Sequence, residues 1–155
     1  MATNSNMLWV DKHRPKDLAK LDYHDALTKQ LSTIAKSGNM PHMLFYGPSG
    51  AGKKTRIMAL LKGIFGNAVY KLKLEQRSFK TPSKATVEIT MLGSNHHIEL
   101  NPADCGNKDT FVVQEVIKEI AQFGALDSQN GRGFKVVVLS EVDNLSKNAQ
   151  AALRR

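Results

Sequence analysis

Nine consecutive residues, Gly47, Pro48, Ser49, Gly50, Ala51, Gly52, Lys53, Lys54 and Thr55, carry the strongest chemical signal in the sequence. Glycines at 47, 50 and 52 let the backbone turn sharply and bring its N–H groups close to an anion. A helix starting at the end of such a loop aims its positive end at the same anion. Lys53 can then reach the β- and γ-phosphates of a nucleotide. A glycine-rich turn that merely reversed the chain would need neither the lysine nor the flanking elements. Here the apolar run His42–Tyr46 precedes the loop and a helical pattern from about Lys54 to Phe65 follows it. The expectation is a phosphate loop that binds ATP or ADP.

One position departs from the usual pattern. A phosphate loop places Ser or Thr directly after the lysine so that its hydroxyl can hold Mg²⁺. That position is Lys54, and an ammonium cannot ligate a cation. Thr55 comes one residue later, turned by about 100° around the helix, and is the only metal-binding candidate left in the loop. Nucleotide binding is expected; ordinary magnesium handling is not.

The second half of such a site is an apolar strand ending in an aspartate that helps hold Mg²⁺. Val136–Leu139 supplies the strand, but Ser140 stands where the aspartate belongs. Glu141 remains where it could polarise an attacking water. Read as plain polar residues leaving a strand, Glu141 and Asp143 would have no catalytic part. The departures at 54 and 140 fall on the same side of the chemistry and predict weak or absent hydrolysis.

Other chemistry-bearing residues are less informative. His96 and His97, as neighbours on a strand, point to opposite faces and cannot share a metal, so they read as ordinary polar residues. Cys105 has no histidine partner in the pattern and reads as a quiet thiol. Lys71, Lys73, Lys80 and Lys84 would give a hairpin a basic face, which is more often solubilising than phosphate-binding.

These residues need elements to hold them. Residues from about His24 to Ser37 place Leu27, Leu31 and Ile34 on one helical face and end at Gly38. The run His42–Tyr46 suits a strand buried on both faces of a parallel sheet. Val69–Leu74 and Ala85–Leu92 alternate as half-exposed strands do, with a turn at Thr81–Ser83. His97–Leu100 is a brief strand followed by a loop. A helix spans about Thr110 to Phe123, with Val113, Val116, Ile117 and Ile120 on one stripe, and a loop at Ser128–Gly133 ends it. Val136–Leu139 reads as a buried central strand, and Ser146 opens a last helix running to Arg155. Strands alternating with helices predict an α/β fold.

Bulk properties agree. A chain of 155 residues with 41% hydrophobic residues can bury a core of single-domain size. Lys+Arg number 22 against 14 Asp+Glu, a formal net charge of +8 that favours polyanionic partners. The single cysteine fits a reducing compartment, cytosol or nucleus. No stretch approaches the ~20 apolar residues of a membrane span and the N-terminus lacks an apolar signal core, so a soluble, unsecreted protein without a membrane partner is expected.

Several stretches taken together resemble a known family. They are Trp9–Pro15, Pro41–Thr55, Glu99–Asp104, Ser140–Asp143 and Leu145–Arg155, in matching order and spacing. The chain is similar to the small subunits of replication factor C, the eukaryotic clamp loader within the AAA+ ATPases. The doubled lysine at 53 and 54 and the missing aspartate at 140 resemble the member of that family regarded as a degenerate ATPase. The resemblance implies a P-loop AAA+ module with a parallel sheet, incomplete at its C-terminal side. Residues 1–155 would be the N-terminal part of the nucleotide-binding domain, with the arginine-finger motif, lid and collar absent.

By that resemblance Val10, Arg14 and Pro15 lie against the adenine side of the nucleotide, Gly47 to Thr55 hold the phosphates, and Glu141 is the remnant of the catalytic pair. Arg154 and Arg155 face neighbouring subunits or DNA. His13 stands where the family more often has tyrosine. The implied partners are the other subunits of a hetero-pentamer, the sliding clamp PCNA and primer-template DNA, in the nucleus, during replication and repair. Two other readings stay open: a self-sufficient ATPase using Thr55 and Glu141, and a truncated fragment whose unfinished sheet leaves it without function.

Overall fold

The computed structural model describes residues 8–80, 86–124 and 134–154. It divides into two compact units, one running up to Val69 and one from Tyr70 onward.

In the first unit the helices are α1 (Trp9–Lys12), α2 (Asp25–Ser37) and α3 (Lys53–Phe65). Apolar residues at helical spacing bury one stripe of each long helix. Leu31 and Ala35 of α2 are buried, as are Ala59, Leu60, Leu61 and Ile64 of α3. The two stripes meet where a side chain is missing: a Cβ added to Gly63 would lie 3.2 Å from the Ala35 Cβ and 3.8 Å from the Leu18 Cδ1. Lys62, one residue earlier, hydrogen-bonds the carboxylate of Asp17, which holds that carboxyl below its ordinary range. Helix α2 stops at Gly38, whose left-handed φ of 70° accommodates the chain reversal.

The second unit contains one four-stranded mixed sheet in the order β1 (Lys73–Lys80), β2 (Thr86–Gly93), β3 (His97–Leu100), β4 (Val136–Leu139). The pairs β1/β2 and β2/β3 are antiparallel, whereas β3 and β4 run parallel, His97 opposite Val136 through Leu100 opposite Leu139. Parallel strands need a crossover, and α4 (Asp109–Gly124) lies in that connection. Val87, Ile89 and Met91, at alternate positions of β2, form one core with Leu100 and with Val112 and Val116 of α4. Full burial of side chains of this kind stabilises by roughly 1.5–3 kcal/mol each. The short α5 (Lys147–Ala152) follows. This is the α/β class expected.

Several elements differ from the sequence reading. His42–Tyr46 is not a strand: it has no ladder partner among the described residues, and Leu44 and Tyr46 are 71% and 87% exposed. Strand formation needs a neighbouring edge, which a local apolar run cannot supply. Val136–Leu139 is a strand, but among the described residues it ends the sheet order and is only half-buried instead of central. The first hairpin strand begins at Lys73 because its register runs from Lys73 opposite Gly93, and Gly66–Tyr70 is a 3-10 turn. Lys73 and Lys80 are seven positions apart on β1 and fall on opposite faces, so they make no common basic face. The turn at Thr81–Ser83, the loop at Ser128–Gly133, Lys84 and Arg155 lie outside the described residues.

Candidate nucleotide site

The phosphate loop folds locally. Gly47, Gly50 and Gly52 take φ of 146°, 79° and 79°, a range that L side chains rarely adopt. Gly52 is the residue from which α3 starts, and the first backbone bond back into the loop runs from Arg56 N–H to the Gly52 carbonyl at 3.0 Å. The loop itself closes with Ala51 N–H donating to the Pro48 carbonyl at 3.3 Å. Lys53 curls back over it, its Nζ donating to the Gly47 carbonyl at 2.8 Å and the Pro48 carbonyl at 2.9 Å. The ammonium is thus fixed at the mouth of the loop, where the start of a 13-residue helix adds its own positive end.

This arrangement fits phosphate oxygens: a pinned cation, glycine backbone and a helix start converge, with Ser49 exposed alongside. It does not fit a conventional magnesium site, because Lys54 occupies the second residue of α3 and, within that helix, only Thr55, half-buried in the third, bears a hydroxyl. Among the described residues no cluster of three or more His, Cys, Asp or Glu side chains could hold a metal ion.

The N-terminal candidates belong to the same unit. Val10 is exposed on α1, and the Trp9 and His13 rings meet with centroids 4.5 Å apart and planes tilted by 44°. Arg14 donates to Asp11 at 3.0 Å, and Pro15 follows, half-buried.

Glu141 and Ser140 belong to the second unit. Ser140 N–H extends the β3/β4 ladder by donating to the Leu100 carbonyl at 3.0 Å. Glu141 then turns the chain with a left-handed φ of 52°, and its carboxylate accepts from Asn144 Nδ2 at 3.4 Å. A non-glycine residue held there costs on the order of 1–3 kcal/mol and is a frequent mark of functional turns.

Three arrangements have no signature in the local sequence. Asp109, 3% exposed, binds Thr110 and Ser146 at the start of α4. His97 is fully buried instead of an ordinary polar residue. Ser94 Oγ accepts the N–H groups of His96 and His97 and shares a hydrogen bond with His97 Nδ1 at 2.7 Å. Third, Tyr23 and His24 are left-handed and tied to α3 by Arg56. Cys105 packs against the sheet core, and burial, then Asp104 and Asp109, push its thiol pKa up, away from nucleophilic reactivity.

No protein-family profile matches the chain. Curated relatives do. Replication factor C subunit 3 of Mus musculus is 53% identical over 148 residues, and that of Homo sapiens 52% over 148, each match covering 96% of this chain and 42% of the relative. Replication factor C subunit 5 of Schizosaccharomyces pombe is 48% identical over 149 residues, again 96% of this chain and 42% of the relative. The chain is a homologue of the N-terminal portion of replication factor C subunits. It spans less than half the length of these curated relatives, whose subunit numbers are three in the mammals and five in fission yeast.

Proposed function

We infer that this chain is the nucleotide-binding front part of a replication factor C subunit, binding ATP or ADP and contributing little hydrolysis of its own. The observation that carries the reading is Lys53 Nζ, pinned by the Gly47 and Pro48 carbonyls at the start of α3. Bound phosphates would sit against that ammonium and the loop N–H groups, and hydrogen bonds to charged groups of this kind are the stronger ones. A metal-free or weakly metal-dependent grip follows from Lys54 replacing the hydroxyl. At the strand end, Ser140 cannot supply the metal-binding carboxylate, and Glu141 is engaged with Asn144. In an ATP-dependent assembly such a subunit acts as a nucleotide-responsive structural member while its neighbours hydrolyse.

The names of the relatives support membership of a multi-subunit replication factor C complex. The setting proposed from the family resemblance is a nuclear hetero-pentamer that places the ring clamp PCNA on primer-template DNA in replication and repair. Equilibrium binding of ATP and ADP to the chain, with Lys53→Ala beside it, tests the pocket. Wild type binds and Lys53→Ala loses at least tenfold in affinity, as expected for removal of a charge-assisted contact worth about 1.5–3 kcal/mol. Equal binding by both proteins overturns the pocket. Co-expression with the other replication factor C subunits tests the setting, and failure to co-purify at any salt concentration counts against it.

A further inference from the structure

Strand β1 stands at one end of the sheet order, so among the described residues only its β2 side is paired. An edge of this kind offers a row of backbone N–H and C=O groups to another strand, and proteins guard such edges with charges. Over its eight residues β1 carries Lys73, Glu75, Arg77 and Lys80. Lys73, Glu75 and Arg77 alternate along the strand and therefore share one face, the face on which Glu75 neighbours Met91 and Arg77 neighbours Ile89. Arg77 donates to Glu75 at 2.9 Å, and the two side chains stay 35% and 46% exposed. A guard of like charges would repel a second copy of the same strand, but this one has mixed sign.

Symmetry limits how two copies could meet. A two-fold axis relating antiparallel strands passes through a residue that faces itself, and residues directly opposite each other lie on the same face of the joined sheet. Centring the pair on Glu75 sets carboxylate against carboxylate, and centring it on Arg77 sets guanidinium against guanidinium; like charges directly opposite are destabilising. Centring it on Gln76, an exposed neutral residue, places Glu75 opposite Arg77 on both sides of the axis. That register also lets the whole stretch Lys73–Phe79 overlap, with Leu74 facing Ser78, whereas axes nearer either end of the strand shorten the overlap.

We propose that the free edge of β1 is an interface for a second copy of this chain. Two β1 strands pair antiparallel about Gln76, joining two four-stranded sheets into one continuous sheet across a symmetric quartet of Glu75 and Arg77 side chains. The surface lies in the second unit and does not depend on the nucleotide reading.

Sedimentation equilibrium of the chain over a range of concentrations tests the interface by charge reversal. Wild type self-associates to a dimer. Glu75→Lys and Arg77→Glu each weaken dimerisation by about tenfold or more, because either change turns both opposed pairs from unlike to like charge. The double variant Glu75→Arg with Arg77→Glu recovers the dimer, since arginine at 75 again faces glutamate at 77; it also guards against misfolding as the cause of the single losses. The register is read by disulfide trapping. Directly opposed Cα atoms in an antiparallel pair lie about 4.5–5.5 Å apart, within the reach of a disulfide. Gln76→Cys on the axis therefore gives a cross-linked dimer under mild oxidation, and Ser78→Cys, which faces Leu74 of the other copy, does not. A wild type that stays monomeric up to millimolar concentration overturns the proposal. So do single variants that dimerise like wild type, a double variant that stays monomeric, or equal cross-linking of the two cysteine variants.

Discussion

Asp109 accepts both the backbone N–H of Ser146, at 2.7 Å, and its hydroxyl, at 3.0 Å. The same carboxylate accepts the N–H of Thr110 at 2.6 Å. One buried anion thus joins the start of α4 to the start of α5, while the Ser146 hydroxyl oxygen in turn accepts from Ala149 N–H at 3.2 Å. Burial alone would raise the pKa of Asp109, but the Ser146 and Thr110 donors outweigh it and hold the carboxyl below its ordinary range.

Asp109→Asn therefore weakens the second unit. An amide turns one acceptor into a donor facing the Ser146 N–H, and loss of hydrogen bonds to a buried charge costs about 1.5–3 kcal/mol. Urea unfolding of the variant checks this. The pH dependence has a definite sign. With the folded pKa depressed, the contribution is complete above the ordinary carboxylate pKa of about 4 and disappears as pH falls below it. Asp109→Asn should remove that part of the acid-side slope, and an unchanged slope would contradict the clamp.

His97 acts on a different pH window. Burial lowers its pKa, Glu99 raises it and His96 lowers it, with burial prevailing. The unfolded chain takes up the proton first, so stability is full above the ordinary histidine value of about 6.5 and declines as pH falls below it. Replacing His97 by Phe, which cannot titrate, should flatten the stability profile below about pH 6.5. Denaturation midpoints across that range decide the matter.

The sheet core gives a graded expectation. Met91 is 3% exposed and packs with Val112, whereas Leu74 on the neighbouring strand is 71% exposed. Met91→Ala should cost about 2–5 kcal/mol and Leu74→Ala less than about 0.5 kcal/mol. Equal effects of the two changes would mean that the core is misplaced.

Gly63 reports on the packing of α2 against α3. Alanine there gains about 1 kcal/mol of helix propensity, offset by crowding against the Ala35 Cβ, which an added Cβ would meet at 3.2 Å. Gly63→Leu has no such balance and should lower stability by about 1–3 kcal/mol. Thermal unfolding of the pair separates them: a leucine variant as stable as the alanine variant would mean that the helices do not approach as described.

What was legible in the sequence was local. Gly47–Thr55 could be read because loop, lysine and helix lie within one stretch, and Ser146 because an N-cap serine speaks for its own helix. His97–Leu100 and Val136–Leu139 were found as strands, yet nothing in either run says which one ends the sheet. His42–Tyr46 looked like a strand because its apolar character is local while a ladder partner is not. Asp109 and Ser146 are 37 residues apart and Arg56 and Tyr23 are 33 apart, so no spacing rule connects them. Tyr23 and His24 also defeat turn chemistry, which looks for glycine or asparagine at left-handed positions.

The proposed function requires a pocket that holds nucleotide through Lys53 without the means to hydrolyse it well. Steady-state ATP turnover, measured on the chain with Lys53→Ala as control and at ligand concentrations where binding is established, tests it most directly. The expected result is ATP binding that depends on Lys53, with turnover of wild type indistinguishable from that of Lys53→Ala. Robust turnover that vanishes in Lys53→Ala would contradict it and favour a self-sufficient ATPase in which Thr55 and Glu141 keep their metal and water roles.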